Sequence, residues 1–149
     1  MSIRSLIPAG CPSLALACGG LLQRLPLVSE PRGTLVFAEV AQHLPFVPKR
    51  FFAVFDAPEH EMRGLHAHLV GHEFLISLQG TWIVTLDDTR TRQTLALDTP
   101  DVGLHIPPRV WRSFFRQGGV AVLASLSSET YDPSDYVRDY SDFACMMRA

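Results

Sequence analysis

The sequence predicts an all-β domain, an antiparallel sandwich or barrel finished by one short helix. Short apolar segments rich in β-formers recur at roughly ten-residue spacing, about eight or nine in all, with turn residues between them. Helical periodicity is confined to the C-terminal tail. The 149 residues, of which 47% are apolar and 19% charged, suit one core of ordinary globular make-up.

Residues 1–30 carry Pro8, Gly10, Pro12, Gly19, Gly20 and Pro26 and read as an irregular N-terminal arm, with one short strand near Leu21 to Leu27. The barrel domain is expected over 31–149. Pro31-Arg32-Gly33 makes a turn, then Thr34 to Val40 and Arg50 to Asp56 read as strands. Ala57 to Glu61 form a polar loop before a strand carrying His66 and His68. Gly71 turns the chain into Glu73 to Leu78, and Gly80 separates that strand from Thr81 to Leu86. Asp87-Asp88-Thr89 is a hairpin turn leading back through Gln93 to Leu97. Val102 to Ile106 is stopped by Pro107-Pro108, and Val120 to Leu126 is the last long strand. In the tail, Asp132-Pro133-Ser134-Asp135 reads as a cap with proline at the first helical position. Tyr136, Val137, Tyr140 and Phe143 then follow at helical spacing, with Asp135, Tyr136 and Tyr140 read as holding the helix to the barrel.

A formal charge of −2 and a pI near 6.3 give no electrostatic footprint for nucleic acid or an anionic membrane. Cys11, Cys18 and Cys145 form no C-x-x-C pair, which fits a reducing, cytoplasmic compartment. The apolar run Leu14 to Leu22, with its Ala17-Cys18 pair, is too short for a secretory signal and is preceded by Pro8 and Pro12. No stretch approaches the ~20 apolar residues of a membrane span. The strands Phe51 to Phe55 and Phe74 to Leu78 are apolar on both faces, which calls for a second covering layer and favours a homodimer.

The chemistry concentrates in R-G-L-H-A-H-L-V-G-H-E, from Arg63 to Glu73. Two residues apart on a strand, His66 and His68 leave the same face. With Glu73 they suit either metal ligation or proton transfer. For a metal, His66, His68 and Glu73 would give two imidazoles and one carboxylate. His105 or His72 could add a fourth ligand, although His72 should face away from its neighbour Glu73. Arg50 and Arg63 carry guanidinium forks suited to phosphate oxygens. Trp111 and Trp82 either stack on a ligand or pack in the core.

The spacing of His66, His68, Glu73 and Gly80 resembles the first motif of the cupins, which are small jelly-roll barrels. More narrowly, the chain is similar to the sugar-nucleotide 3,4-ketoisomerases acting on dTDP-4-keto-6-deoxyglucose. The matching strings are P-R-G-T-L at 31–35, K-R at 49–50, R-G-L-H-A-H at 63–68 and L-D-D at 86–88. They continue with V-G-L-H-I-P-P-R-V-W at 102–111, L-A-S at 123–125 and Y-D-P-S-D-Y-V-R-D-Y at 131–140. The resemblance implies a cupin barrel, a dimer with exchanged N-terminal strands, and deoxysugar and cell-surface polysaccharide biosynthesis. It implies no metal and no other cofactor. By match, His66 and His68 are the catalytic pair, and Arg50 and Arg63 contact the pyrophosphate or sugar of a dTDP-4-keto-6-deoxy sugar; Glu73, Arg112 and Trp111 are further substrate-binding candidates. Three departures from the family's usual pattern involve four positions: Arg112 replaces a histidine, Phe52 and Ala53 stand where tyrosines are common, and Leu69 replaces a lysine. Arg112 would repel a divalent ion a few Å away and offers Glu73 a partner. The alternative reading is a non-catalytic or metal-dependent cupin that binds a sugar nucleotide.

Overall fold

The computed structural model describes residues 2–149. In chain order it holds α1 (Ile3–Leu6), β1 (Ser13–Ala15), β2 (Leu21–Arg24), β3 (Leu27–Glu30), β4 (Gly33–Val36) and β5 (Arg50–Val54). There follow β6 (Arg63–His68), β7 (Glu73–Asp87), β8 (Arg92–Leu97), β9 (Val102–Ile106), β10 (Trp111–Ser127), β11 (Tyr136–Val137) and α2 (Tyr140–Arg148). The architecture is an antiparallel jelly-roll barrel with a short C-terminal helix, as the resemblance implies.

Two long strands organise it. The strand β7 pairs with β10 from Glu73↔Ser127 to Asp87↔Trp111, and the pair bends midway, so each strand serves two sheet layers. Gly80 permits the bend: its φ is +73°, and a Cβ there would lie 2.3 Å from the Val120 carbonyl oxygen. On β10 the register shifts between Gln117 and Leu123 complete it. One layer runs β1, β2, β9, the first half of β7, the second half of β10, and β5. The other runs β8, the second half of β7, the first half of β10, β6 and β11. Between them lies the main core, including Leu22, Leu75, Trp82, Val84, Leu86, Leu104, Ile106, Phe114 and Leu123.

Residues 3–24 are not an irregular arm. Ile3, Ile7, Leu16, Cys18 and Leu22 are buried in that core, and β2 pairs with β9 from Leu21↔His105 to Arg24↔Val102. The prolines and glycines only punctuate segments that the barrel needs to cover its open end. The expected strands on either side of Gly80 are one bent strand. The first half of β10 escaped the sequence reading because Arg112 and Arg116 stand at inward positions, opposite Leu86 and Trp82, where alternation calls for apolar residues.

The tail also differs. Pro133–Asp135 is a single 3₁₀ turn capped by Asp132, Tyr136–Val137 pairs with β6, and the helix starts only at Tyr140 with Asp139 as its cap. Its Phe143 packs with Trp111 and Ala67 over the outer face of the second layer. The outer face of the first layer, at Phe74 and Ile76, is covered by the chain's own Leu25, Val36, Ala38, Leu44 and Phe46. That segment supplies the second layer expected of a partner subunit over those residues. Phe51 on β5 and Phe55 just after it remain 62% and 64% exposed. Among the described residues no helix is long and apolar enough to cross a membrane.

Candidate active site

Alternation brings the site together from both layers. Residues directly opposite one another on paired strands share a face. Arg50, Ser127 and Glu73 therefore form one inward row across β5, β10 and β7. Facing them, His66 shares the inward face with Arg112 across the β6–β10 pair, and Tyr136 shares it with His68.

Arg63 needed a special arrangement to join them. On a regular strand, residues 63 and 66 point to opposite faces. The register against β10 shifts between Arg112↔His66 and Ser113↔Gly64, and both Gly64 (φ +82°) and Leu65 (φ +51°) are left-handed. This bulge restores Arg63 to the inward face, opposite Phe114, where it lies exposed beside the mouth of the barrel.

The two imidazoles are joined edge to face, with Nε2 of His66 3.2 Å from Nε2 of His68. Nδ1 of His66 donates to the Gly64 carbonyl at 2.9 Å, and Nδ1 of His68 donates to Asp135 at 2.9 Å. With both Nδ1 protons so used, the Nε2–Nε2 bond needs one further proton on one of the rings. Glu73 Oε1 lies 3.3 Å from His68 Nε2. The Tyr136 ring packs on both imidazoles, with centroids 4.9 Å from His66 and 4.4 Å from His68. Its hydroxyl accepts from Arg50 at 3.2 Å.

Arg112 is fully buried, its Nη1 3.4 Å from Glu73 Oε2, and none of its guanidinium nitrogens has a hydrogen-bond partner among the described residues. Burial alone would raise the Glu73 carboxyl, but Arg112 and His68 outweigh it and hold it down at about 2. His66 is lowered to about 4, first by burial and then by the Arg112 charge, which leaves it a neutral base near pH 7. Burial likewise presses the Arg112 guanidinium downward, with Glu73 opposing.

Donor atoms of His66, His68 and Glu73 lie within 4.8 Å of one another, close enough to share an ion. The geometry suits proton traffic better. Arg112 places a permanent cation against Glu73, and the expected substitutes are elsewhere: His72 and His105 stack on each other, 2.9 Å apart, beside Phe46.

Of the residues singled out from sequence, His66, His68, Glu73, Arg112 and Arg50 converge. Trp111 does not. Its neighbour Arg112 faces inward, so Trp111 faces out, 6% exposed beneath α2 against Tyr140 and Phe143, and it is a packing residue there. Trp82 is also wholly in the core. Two members of the site had been read only as helix anchors, Asp135 and Tyr136. The signal for Tyr136 was weak, because a two-residue strand has no visible periodicity.

The family model described as "FdtA: WxcM-like, C-terminal" matches residues 19–148. The chain is 38% identical over 116 residues, covering 78% of it and 84% of the relative, to a TDP-4-oxo-6-deoxy-alpha-D-glucose-3,4-oxoisomerase of Aneurinibacillus thermoaerophilus. Among solved structures it is similar to a 3,4-ketoisomerase from Helicobacter canadensis, with TM-score 0.84 and 29% identity over 87% of this chain and 98% of that one. It is also similar to QdtA, a sugar 3,4-ketoisomerase from Thermoanaerobacterium thermosaccharolyticum crystallised with TDP, with TM-score 0.83 and 31% identity over 87% and 94%. A histidine-to-asparagine variant of that enzyme has been crystallised with TDP-4-keto-6-deoxyglucose. With a family match running over nearly its whole length, onto a barrel whose inner face carries the paired histidines, the chain belongs to the FdtA, WxcM-like C-terminal family.

Proposed function

We propose that the protein is a sugar-nucleotide 3,4-ketoisomerase that moves the keto group of a dTDP-linked 4-keto-6-deoxy sugar from C4 to C3, in deoxysugar biosynthesis. The observation that carries the reading is the His66–His68 pair, in which one lone pair and one mobile proton are held between two Nε2 atoms at the barrel mouth.

The reaction needs both. The C3–H bond breaks, its proton passes to a base, and its electron pair forms the C3=C4 double bond while the C4 carbonyl electrons move to oxygen. The mobile proton of the histidine pair passes to that oxygen and gives an enediol. The C3 hydroxyl proton then returns to the pair as the C3 carbonyl forms, and the proton that His66 took from C3, or one exchanged with solvent, is delivered to C4. His66, neutral near pH 7 and the more exposed ring, is the base: its Nε2 lone pair, which faces His68 in the resting site, is the one that takes the C3 proton. His68, 1% exposed, stands behind it as the proton's other holder. The free donors of the fully buried Arg112 suit the oxygen on which negative charge develops. Arg63 at the mouth suits the diphosphate, and Arg50 with Tyr136 lines the path between them. No step calls on a metal or another cofactor.

We infer a homodimer as well. Among the described residues the strand β5 pairs only with β10; it presents exposed Phe51, and Phe55 just beyond its end lies with exposed Val120 at a cleft of about 480 Å³ lined also by Ala57 and Val122. A second copy of the chain is the partner proposed for this edge.

The test of activity is incubation with dTDP-4-keto-6-deoxyglucose followed by carbon NMR of the sugar. A carbonyl appearing at C3 supports the reading. A substrate that binds and stays unchanged would hand the function to the non-catalytic alternative.

A further inference from the structure

We propose that Asp135 is a positioning residue for the reaction: it fixes the tautomer of His68 by holding one ring proton on Nδ1, so that Nε2, toward His66, is the nitrogen that takes and gives the mobile proton of the pair. The inference rests on the ketoisomerase reading for its kinetic consequence, but not for its structural content.

The Asp135 carboxylate is seated more firmly than a tail anchor requires. Its Oδ1 accepts from the backbone N–H of Leu69 at 3.1 Å and of Val70 at 2.7 Å. Its Oδ2 accepts from Gly71 N–H at 3.2 Å and from His68 Nδ1 at 2.9 Å. Three backbone N–H groups point at this carboxyl group, and its oxygens serve as acceptors toward every neighbour. His68 must therefore keep its proton on Nδ1. The ring is also clamped on its face by Tyr136, the next residue along, and by the pairing of Tyr136 with His68. Gly71 makes this approach possible, since a Cβ there would lie 2.7 Å from Asp135 Oδ2 and 3.4 Å from His68 Nδ1. Glu73 lies against the other ring nitrogen of His68, and Arg112 against Glu73, so among the described residues nothing else in the site competes for Nδ1.

Asparagine at 135 reverses the constraint. Its oxygen stays with the N–H groups of Leu69 and Val70, and its amide donates to His68 Nδ1, driving the ring proton to Nε2 and blocking the transfer position. An Asp-to-Asn change behind a catalytic histidine acts in this way in serine proteases, at a cost of about 10⁴-fold in kcat.

The experiment is a long-range ¹H–¹⁵N spectrum of the histidine rings, assigned with the His66→Asn protein, alongside steady-state kinetics. Wild type should show His68 protonated at Nδ1. Asp135→Asn should show the proton moved to Nε2, with kcat down about 10²–10⁴-fold and KM within about threefold, since Asp135 does not reach the sugar. Gly71→Ala, which changes no ionisable group, should lower kcat in the same direction by disturbing the carboxylate's seat. Wild-type His68 with a bare Nδ1 overturns the proposal without any variant, so a misfolded Asp135→Asn protein leaves it decidable. An Asp135→Asn protein that keeps the Nδ1–H tautomer and normal turnover also overturns it. A wild type with the Nδ1–H tautomer and no turnover would instead overturn the ketoisomerase reading and leave the role of Asp135 toward His68 standing.

Discussion

His66 and His68 meet through their Nε2 atoms at 3.2 Å while their Nδ1 atoms are committed to different acceptors, Gly64 and Asp135. Two neutral rings so anchored would oppose lone pairs at that distance, so the pair is a holder for one proton. Beside it the buried Glu73 carboxylate faces the buried Arg112 guanidinium at 3.4 Å, and each offsets the cost of burying the other's charge.

Breaking that balance should be costly. Arg112→Met leaves Glu73 as an uncompensated buried charge and should lower unfolding stability by about 3–5 kcal/mol in denaturant melts. The double variant Glu73→Gln with Arg112→Met should recover part of the loss. Equal stability of Arg112→Met and wild type would mean that the 3.4 Å pair contributes nothing.

Low pH should weaken the fold through histidines buried in neutral form. His66 and His105 are both lowered from 6.5 to about 4, His66 by burial and then Arg112, His105 by burial and then His72. His72 is lowered too, by burial, against the pull of Glu129. Between about 6.5 and about 4 the unfolded chain binds protons that the folded one refuses, so stability falls as pH falls through that window. Glu73, depressed from 4.5 to about 2, stabilises above its unfolded value and loses its share only as pH falls toward about 2. Thermal melts from pH 7 to 4 should show a declining midpoint, with a shallower slope in His105→Asn. A flat profile in both proteins would contradict these shifts.

The site was legible in sequence wherever strand alternation alone decided. His66 and His68 share a face, and Glu73 points inward while His72 points out, as the spacing implied; that Glu73 meets Arg112 followed from the place of Arg112 in the second motif. The same rule would have excluded Trp111, the immediate neighbour of an inward residue. Other placements depend on features with no local signature. Arg63 faces inward only because of the bulge at Gly64 and Leu65. Asp135 lies 67 residues beyond His68, and its side chain acts on a turn brought to it by tertiary folding. In the tail, the helical spacing of Tyr136 and Val137 was genuine but outweighed, because their backbone completes the edge of β6.

Metal content is a direct check on Arg112. Protein purified without chelator should carry well under one equivalent of transition metal by elemental analysis, because the guanidinium beside Glu73 opposes a divalent ion. A stoichiometric metal whose removal abolishes turnover would contradict this and favour the metal-dependent alternative.

Light scattering at micromolar concentration should give about twice 16.5 kDa. Replacing Phe51 and Phe55 with polar residues should shift the protein toward monomer without unfolding it, since both side chains are mostly exposed. A clean monomer in the wild type would show that the β5 edge needs no partner.

The most direct test of the account is turnover of dTDP-4-keto-6-deoxyglucose in heavy water by wild type, His66→Asn and His68→Asn. Wild type should yield the 3-keto sugar with deuterium at C4, because the new C–H bond takes its proton from a pair that exchanges with solvent. Each asparagine variant should lose at least two orders of magnitude in rate, as expected for a general acid or base worth ~10²–10⁴-fold. Their substrate binding should persist, whereas Arg63→Ala should weaken it by about 1.5–3 kcal/mol as a charge-assisted contact. Turnover at wild-type rates in both histidine variants would contradict proton transfer by the His66–His68 pair.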